Sequence, residues 1–338
     1  MNKEIPRLYF LDIVKILTLI AIMILHTNEF IFYTETFPHG WLAPVYNFIL
    51  LVIARPFTLG GQILVAIIYF LFGLTDKSKR SLLKIAAFAF LGQLILAIVF
   101  QKPEWDIYIF LAFCNFALVG LPRKLLLSPI TLLVSFSMLW IPSSFYQSFF
   151  SDNPIWDIVS GRMSAHNSGS WPLLPWLFHS IMFYNLGLMA RNHYSSLTRW
   201  HKSEYAIWPI CLLFSLPFIG AYYWVPVGAN YYNFVFNQPP HIYWANFWYF
   251  AFFIRLAFMD SIQLRIKDNK FVKWISGLAW TNHLGIVYLI SIIYLGIGMM
   301  FDEVFLKNPK IFDLFFVSIF IVCELSGRLL VSLSKKIK

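Results

Sequence analysis

Long apolar segments follow one another along the whole chain and are separated by short polar loops. Each is long enough to cross a hydrocarbon core of about 30 Å, with tilt for the shorter ones. A transmembrane barrel would show a weak alternation of apolar and polar residues, so continuous runs favour membrane-spanning helices. Ten spans are predicted, at residues 8–27, 44–74, 81–100, 105–121, 124–142, 170–190, 205–226, 241–260, 273–300 and 311–333.

The second of these spans, residues 44–74, is too long for one straight helix across a membrane. The sequence ARPFTLGG at 54–61 interrupts it. Proline with paired glycines favours a kink, a re-entrant piece or an interfacial lead-in. We count the segment as one crossing, because two crossings would reverse every later loop and remove the charge bias between the two sides.

That charge bias is strong. If the N-terminus is cytoplasmic, the loops on its side carry most of the 26 lysine and arginine residues, whereas the opposite loops carry only Lys102, Arg162, Lys307 and Lys310. The positive-inside rule describes this asymmetry, so both termini are predicted to be cytoplasmic. The net charge of +10 is then explained by topology and lipid head groups rather than by nucleic-acid binding.

Composition agrees with an integral membrane protein. The chain is 59% hydrophobic and only 12% charged, whereas a soluble domain has about 25% charged residues. No soluble domain stands out, so residues 1–338 are interpreted as one all-α polytopic bundle of about ten helices. No small-residue cleavage site follows the first span, which is therefore expected to be retained rather than removed as a signal peptide.

The first span carries three titratable side chains, Asp12, Lys15 and His26. At 100° per residue they lie within about 60° of one another on one helix face. Such a stripe should face the bundle interior or a water-filled cavity. Asp12 and Lys15 are close enough to pair, and His26 lies about 16 Å further along the axis. In the alternative interpretation the charged pair snorkels to the interface and His26 only caps the outer end.

Further polar residues lie in or near the spans. Arg55 and Arg255 need an acidic, carbonyl or anionic partner, and Arg255 could meet phosphate or snorkel to the interface. Glu324 and Arg328, at i and i+4, are predicted to pair with each other. The three cysteines fall in apolar runs and are interpreted as buried hydrophobic residues, and no spacing in the sequence supports a bound metal.

Several aromatic and histidine residues are candidates for substrate contact. His39 and Trp41 lie on the predicted outer side, and the outer loops 143–169 and 227–240 are rich in aromatic and amide side chains. These features suit a sugar-binding surface or, alternatively, an interfacial aromatic belt. His179 and His283 are predicted to lie in the middle of helices, where packing and substrate contact are both open.

The pattern Asp12-x-x-Lys15, ten residues, then His26 resembles the first helix of the transmembrane acyltransferase-3 family, which typically reads Asp-x-x-Arg, ten residues, His. Residues 60–80 are similar to the second helix of that family, and residues 283–291 to a late helix. Residues 171–191 are similar to a helix with a Leu-Gly exit there, and to one in the related heparan-glucosaminide acetyltransferase group. The chain differs in having Lys15 for arginine, Phe72 for serine before a glycine, and Ser291 for a late histidine.

The resemblance implies transfer of an acyl group, usually acetyl from cytoplasmic acetyl-coenzyme A, to a hydroxyl of an extracytoplasmic or lipid-linked glycan. It also implies His26 as the general base or, alternatively, as the covalent acyl carrier. Lys15 would bind the cofactor or stabilise negative charge, and Asp12 would fix Lys15. The expected cofactor contacts add Arg55 and Arg255, and the expected acceptor contacts are His39, Trp41 and His179. The expected location is a bacterial inner membrane.

Two other classes of function stay open. A transporter or flippase for a glycolipid or small solute could use the same helical bundle with charges on one helix face. The sequence shows no internal repeat and no matched pair of broken helices to support it. A structural or assembly subunit is the third interpretation, but it would not need a charged stripe in its first helix.

Overall fold

The computed structural model describes residues 5, 7–27, 40–48, 60–100, 107–139, 141, 143–149, 153–160, 173–193, 250–251 and 253–336. These residues are largely helical and contain no β-strand, which confirms the predicted all-α class for this part of the chain. The chain divides into two compact units, each packed mainly on itself. The first unit comprises Met1–Arg7 and Gln62–Ser261, and the second comprises Leu8–Gly61 and Ile262–Lys338.

The helices follow the predicted apolar runs closely, with short additional helices in the loops. Those with defined bounds are α1 (Tyr9–Thr27), α2 (Ala43–Phe48), α3 (Gly60–Leu74), α4 (Lys79–Phe100), α5 (Ile107–Gly120), α6 (Arg123–Leu126), α7 (Pro129–Met138), α8 (Ser143–Gln147), α9 (Pro154–Ser160), α10 (Leu173–Asn192), α11 (Asp260–Lys267), α12 (Lys270–Gly277), α13 (Ala279–Asn282), α14 (Leu284–Met299), α15 (Asp302–Lys307) and α16 (Pro309–Lys336). Residues 253–258 are also helical. The predicted span 205–226 and most of 241–260 lie outside the described residues.

Two helical segments, Lys79–Val99 and Pro309–Leu333, are long and apolar enough to cross a membrane by length and composition. Only 33% and 22% of these segments is buried within the protein, unlike the core helix of a soluble protein. On α16 the exposed side chains form an apolar stripe of Leu314, Val317, Ile321, Leu325 and Leu329. Such a stripe is weak support for membrane association, and the ten-span topology stays a prediction.

The predicted span 124–142 is wrong as a single helix, because α6 ends at Leu126 and α7 begins at Pro129. Ser128 is extended, and its hydroxyl oxygen accepts a hydrogen bond from the backbone N–H of Ile130 at 3.2 Å. A serine followed by proline at the first helical position is a favourable helix start. The amide of Asn185 on α10 donates to the carbonyls of Leu126 and Ser128 and so stabilises the break.

The predicted span 273–300 is also wrong as a single helix, because it divides into α12, α13 and α14. The backbone leaves the helical conformation at Leu278 (φ −68°, ψ 151°) and at His283 (φ −132°, ψ 41°). His283 therefore lies at a helix junction rather than in the middle of a helix. The carboxylate of Glu324 on α16 accepts a hydrogen bond from the N–H of Ala279 at 2.8 Å. This bond satisfies a donor that the break would otherwise leave unpaired.

In the first unit, α3 and α10 cross with their backbones in contact at Gly73 and Gly187. A Cβ atom on Gly187 would lie 2.1 Å from the carbonyl oxygen of Phe70. A Cβ atom on Gly73 would lie 2.1 Å from the carbonyl oxygen of Tyr184. No side chain can be placed at either distance, so only glycine permits this crossing.

The loops at the end of α3 and before α6 meet at one end of the first unit. The guanidinium of Arg123 donates to the carboxylate of Asp76 at 2.7 Å, and this hydrogen bond raises the pKa of Arg123. At the end of α10, Arg191 donates to the carbonyl of Leu74 at 3.5 Å. Three segments that the charge bias assigns to one side of the membrane therefore lie together.

Candidate functional site

The candidate site lies in the second unit, along the face of α1 that packs against α12, α13 and α14. Leu11, Val14, Leu19 and Met23 are almost completely buried on α1 and anchor the helix in the unit. Residues three and four apart share a helix face, so the same packing turns Asp12 and Lys15 inward. The burial of this face is what the polar stripe in the sequence predicts.

Asp12 and Lys15 form a buried ion pair. The ammonium of Lys15 lies 2.6 Å from a carboxylate oxygen of Asp12, which confirms the predicted i,i+3 pairing. The two residues are only 4% and 7% exposed within the protein, so the pair does not snorkel out of its helix packing. Removing two charges from water is costly, and pairing them at this distance offsets part of that cost.

Lys15 also joins α1 to the interrupted helix. Its ammonium donates to the backbone carbonyl of Thr281 on α13 at 3.3 Å. Carbonyls in the last turn of a helix lack a partner within the helix, so they need a donor from elsewhere. Sequence reasoning missed Thr281, because nothing in the pattern of residues 273–300 indicates that a carbonyl becomes available there.

His26 lies near the other end of α1. Its Nε2 is 3.0 Å from the hydroxyl of Tyr288 on α14, and both side chains are half-buried. A hydrogen bond to one ring nitrogen holds the imidazole in place, with the hydroxyl as donor or acceptor according to the tautomer. Sequence reasoning also missed Tyr288, although this residue lies in the segment 283–291 that resembles a late helix of the acyltransferase family.

The ion pair and His26 share a helix face but are separated by about 16 Å along its axis. A single small reacting group cannot touch both, whereas a long and thin molecule lying along α1 could reach from one to the other. The two contacts also give the relative direction of the chain segments. Along α1, Lys15 meets Thr281 on α13, and His26 further on meets Tyr288 on the following helix, α14. The segment formed by α13 and α14 therefore runs parallel to α1.

Beyond the His26 end of α1, the backbone N–H groups of Trp41 and Leu42 donate to one oxygen of Asp313, at 2.6 and 3.3 Å. Asp313 is 2% exposed, whereas Trp41 is 66% exposed. The ammonium of Lys310 lies 5.5 Å from the centre of the Trp41 ring. Asp313 thus fixes the turn that presents an exposed tryptophan, a role that the sequence did not predict.

Two predicted site residues, His179 and Arg255, belong to the first unit. The ring of His179 is completely buried, with ring centres 5.3 Å from Trp176 and 4.6 Å from Phe183. Within the described part of the chain neither of its ring nitrogens has a hydrogen-bond partner. This environment favours a packing role for His179. Arg255 is 7% exposed and lies in the helical residues 253–258.

The remaining predicted site residues, Arg55 and His39, lie outside the described residues. Cys114 and Cys323 are buried free cysteines, as predicted, and Cys211 also lies outside the described part. Among the described residues no group of three or more histidine, cysteine, aspartate or glutamate side chains could hold a metal ion.

A scan against protein-family models finds no match, and neither the curated proteins nor the solved structures yield one. The resemblance to the acyltransferase family therefore rests on the residues quoted for it. The geometry that α1 and its neighbours provide is a buried ion pair at one end of a helix face and a hydroxyl-bonded histidine at the other.

Proposed function

We propose that the protein is a membrane acyltransferase that moves an acyl group, acetyl from cytoplasmic acetyl-coenzyme A, to a hydroxyl of an extracytoplasmic or lipid-linked glycan. The observation that carries this proposal is the hydrogen bond between His26 and Tyr288, on the helix face that also carries the Asp12–Lys15 pair. A half-buried and oriented imidazole is the group that such a transfer needs.

In the proposed reaction, neutral His26 removes the proton of the acceptor hydroxyl as its oxygen attacks the thioester carbonyl. The new C–O bond forms, the C–S bond breaks, and the coenzyme A thiolate leaves and takes the proton back from His26. In the covalent alternative a nitrogen of His26 forms a C–N bond to the acyl carbon as the C–S bond breaks, and the leaving thiolate takes the imidazole N–H proton. The acceptor oxygen then forms the C–O bond as the C–N bond breaks, and the hydroxyl proton returns to the imidazole. Tyr288 orients the imidazole in either route.

In this proposal Lys15 holds α1 against α13 in addition to the cofactor or charge-stabilising role that the resemblance implies. Its ammonium already contacts Asp12 and the carbonyl of Thr281, and an ammonium has three N–H donors. One donor is left to bind a cofactor oxygen or to stabilise developing negative charge. Asp12 keeps the role of fixing Lys15.

Contacts within each unit support the membrane topology. The parallel direction of α1 and α14 agrees with their prediction as the first and ninth spans. Helices α14 and α16 run antiparallel, because Tyr294 bonds Ser318 at 2.8 Å while Val287 approaches Gly327. Trp41 and Asp313 meet at the end predicted to be outside. In the first unit, the contacts of Arg123 and Arg191 join loops predicted to be cytoplasmic.

The test uses purified full-length protein with acetyl-coenzyme A and a His26→Ala variant. We expect the wild type to bind acetyl-coenzyme A and to hydrolyse or transfer its acetyl group. His26→Ala should stay folded and lose about 10²–10⁴-fold in rate, the usual contribution of a general base. His193→Ala is the matched control, because His193 is exposed at the end of α10.

Two results would contradict the proposal. If the wild type neither binds nor hydrolyses acetyl-coenzyme A, the protein is not an enzyme of this kind. If His26→Ala is folded and fully active, His26 is not the catalytic residue. Radiolabelled acetyl-coenzyme A then separates the two routes, because only the acyl-histidine route leaves label on the protein.

The interruption of α12, α13 and α14 is the observation that favours the second candidate function, a transporter or flippase. Broken helices whose free carbonyls face a cation are common in the binding sites of transporters, and the carbonyl of Thr281 meets the ammonium of Lys15. Transport of a lipid-linked sugar in proteoliposomes without acetyl-coenzyme A, unaffected by His26→Ala, would support this candidate instead.

A further inference from the structure

The outer face of α12 carries a pair of exposed aromatic side chains. Phe271 is 64% exposed and Trp274 is 59% exposed. Their rings are stacked, with centres 5.8 Å apart and planes at 29°. Packing within the described part of the second unit does not explain why two large, solvent-exposed aromatic side chains stack on each other here.

The orientation of α12 is well determined by its other face. Val272, Ile275 and Ser276 are buried, and the helix packs against α1. The side chain of Asn269 starts the helix by accepting hydrogen bonds from the N–H groups of Phe271 at 2.9 Å and Val272 at 3.3 Å. At 100° per residue, the aromatic pair and the lysines of α12 fall on the arc that faces away from the unit.

Lys270 and Lys273 share the exposed arc of α12 with the aromatic pair, and further exposed cations lie on α11, the helix that precedes α12 in the sequence. Arg265, Lys267 and Lys270 are exposed. Lys273 is also exposed, and its ammonium lies 3.8 Å from a carboxylate oxygen of Asp268, which is itself exposed. A solvent-exposed pair at this distance is weak, so it leaves the ammonium free to meet another anion. The surface therefore has a clear excess of positive charge.

We propose that this face of α12 is an interfacial anchor that binds the head groups of anionic phospholipids. Tryptophan and phenylalanine favour the boundary between head groups and acyl chains. Lysine and arginine beside them meet the lipid phosphates, each contributing about a fivefold gain in binding near an anionic surface. The anchor rests on the membrane location proposed above and is separate from the proposed acyl transfer, because its residues lie on the exposed side of α12.

The test measures lipid retained by the purified full-length protein in mixed micelles with equal amounts of fluorescent phosphatidylglycerol and phosphatidylcholine. We expect the wild type to retain the anionic lipid preferentially. Lys270→Gln should reduce this preference about fivefold, and Trp274→Ala should reduce retention of both lipids at the site. Lys307→Gln is the matched control, because Lys307 is also an exposed lysine but lies on α15, and it should leave the preference unchanged.

Added inorganic phosphate tests whether the site binds a lipid or a free anion. We expect phosphate not to displace the fluorescent lipid when the total ionic strength is held constant. The proposal is wrong if Lys270→Gln keeps the full preference, if inorganic phosphate displaces the lipid, or if Trp274→Ala only converts a dimer to a monomer. A wild type that is soluble without detergent and retains no lipid would overturn the membrane location itself. Retention without head-group preference would overturn only the anchor.

Discussion

The buried titratable side chains of α1 in the second unit and of α10 in the first unit have different surroundings. On α1 and at the start of α16, buried charged side chains have partners at short range: Asp12 with Lys15, Lys15 with Thr281, and Asp313 with the turn at Trp41. In the first unit His179 is completely buried against Trp176 and Phe183, and its ring nitrogens have no hydrogen-bond partner among the described residues. Charge pairing therefore stabilises the buried groups on α1, whereas aromatic packing surrounds His179.

The two histidines show what this difference means for function. Both were candidates from the sequence because each lies in an apolar run. His26 is half-buried and bonded to a tyrosine hydroxyl, so it can exchange a proton with a molecule that reaches it. His179 is enclosed by aromatic rings and behaves as a packing residue. Access and a partner, rather than depth in the helix, therefore identify the histidine suited to catalysis.

The largest effect is expected when one charge of the buried pair is removed. Lys15→Met should lower the free energy of unfolding by about 3–5 kcal/mol, because Asp12 would stay buried and lose the ammonium that lies 2.6 Å from its carboxylate. Thermal unfolding in detergent measures this. The double variant Asp12→Leu with Lys15→Met should recover most of the lost stability. Arg328→Gln is the control, because Arg328 is exposed in its pair with Glu324. It should cost about 1 kcal/mol of stability at most. An equal loss in all three variants would contradict the contrast.

A second prediction concerns the helix crossing in the first unit. Gly187→Ala should destabilise the protein by about 1–3 kcal/mol or more, because the added methyl group overlaps the carbonyl of Phe70. Gly120→Ala is the matched control, since nothing lies within 4 Å of its Cβ position, and alanine favours a helix. If the two variants unfold at the same temperature, the backbone contact between α3 and α10 is wrong.

A third prediction separates orientation from packing at His26. Tyr288→Phe should keep the fold and lower the rate of acyl transfer about tenfold, which corresponds to the loss of one hydrogen bond of about 1–1.5 kcal/mol. Tyr294→Phe is the control. The hydroxyl of Tyr294, on the same helix, bonds Ser318 and not His26, so its removal should not change the rate of acyl transfer. Steady-state kinetics of both variants decide the matter, and equal rates would exclude an orienting role for Tyr288.

The smallest effect is expected at His179. His179→Phe places a somewhat larger ring in a closely packed aromatic environment, which is unfavourable, but it also removes two buried ring nitrogens that have no hydrogen-bond partner among the described residues. These effects oppose each other, so stability should change by less than about 1.5 kcal/mol. The transfer rate should stay at the wild-type value. A rate as low as that of His26→Ala, in a folded variant, would assign His179 to catalysis rather than packing and remove the contrast between the two histidines.

Several elements could be predicted from the sequence with accurate bounds. The predicted spans 8–27, 81–100, 105–121 and 311–333 each overlap one helix to within a few residues. These segments are uninterrupted apolar runs, and their helical hydrogen bonds are local, so neighbouring residues decide the structure. The two spans that proved wrong, 124–142 and 273–300, break where distant side chains supply hydrogen bonds: Asn185 for the first and Glu324 for the second.

The sequence by itself determined the polar face of α1, because helical periodicity places Asp12, Lys15 and His26 together whatever surrounds them. It also determined the i,i+3 ion pair, since that contact lies within one helix. Only the tertiary structure decided that Lys15 meets the carbonyl of Thr281 and that His26 meets Tyr288. Those contacts join residues more than 260 positions apart. No local pattern encodes them, because they depend on how α1 packs against a helix that is itself interrupted by contacts from α16.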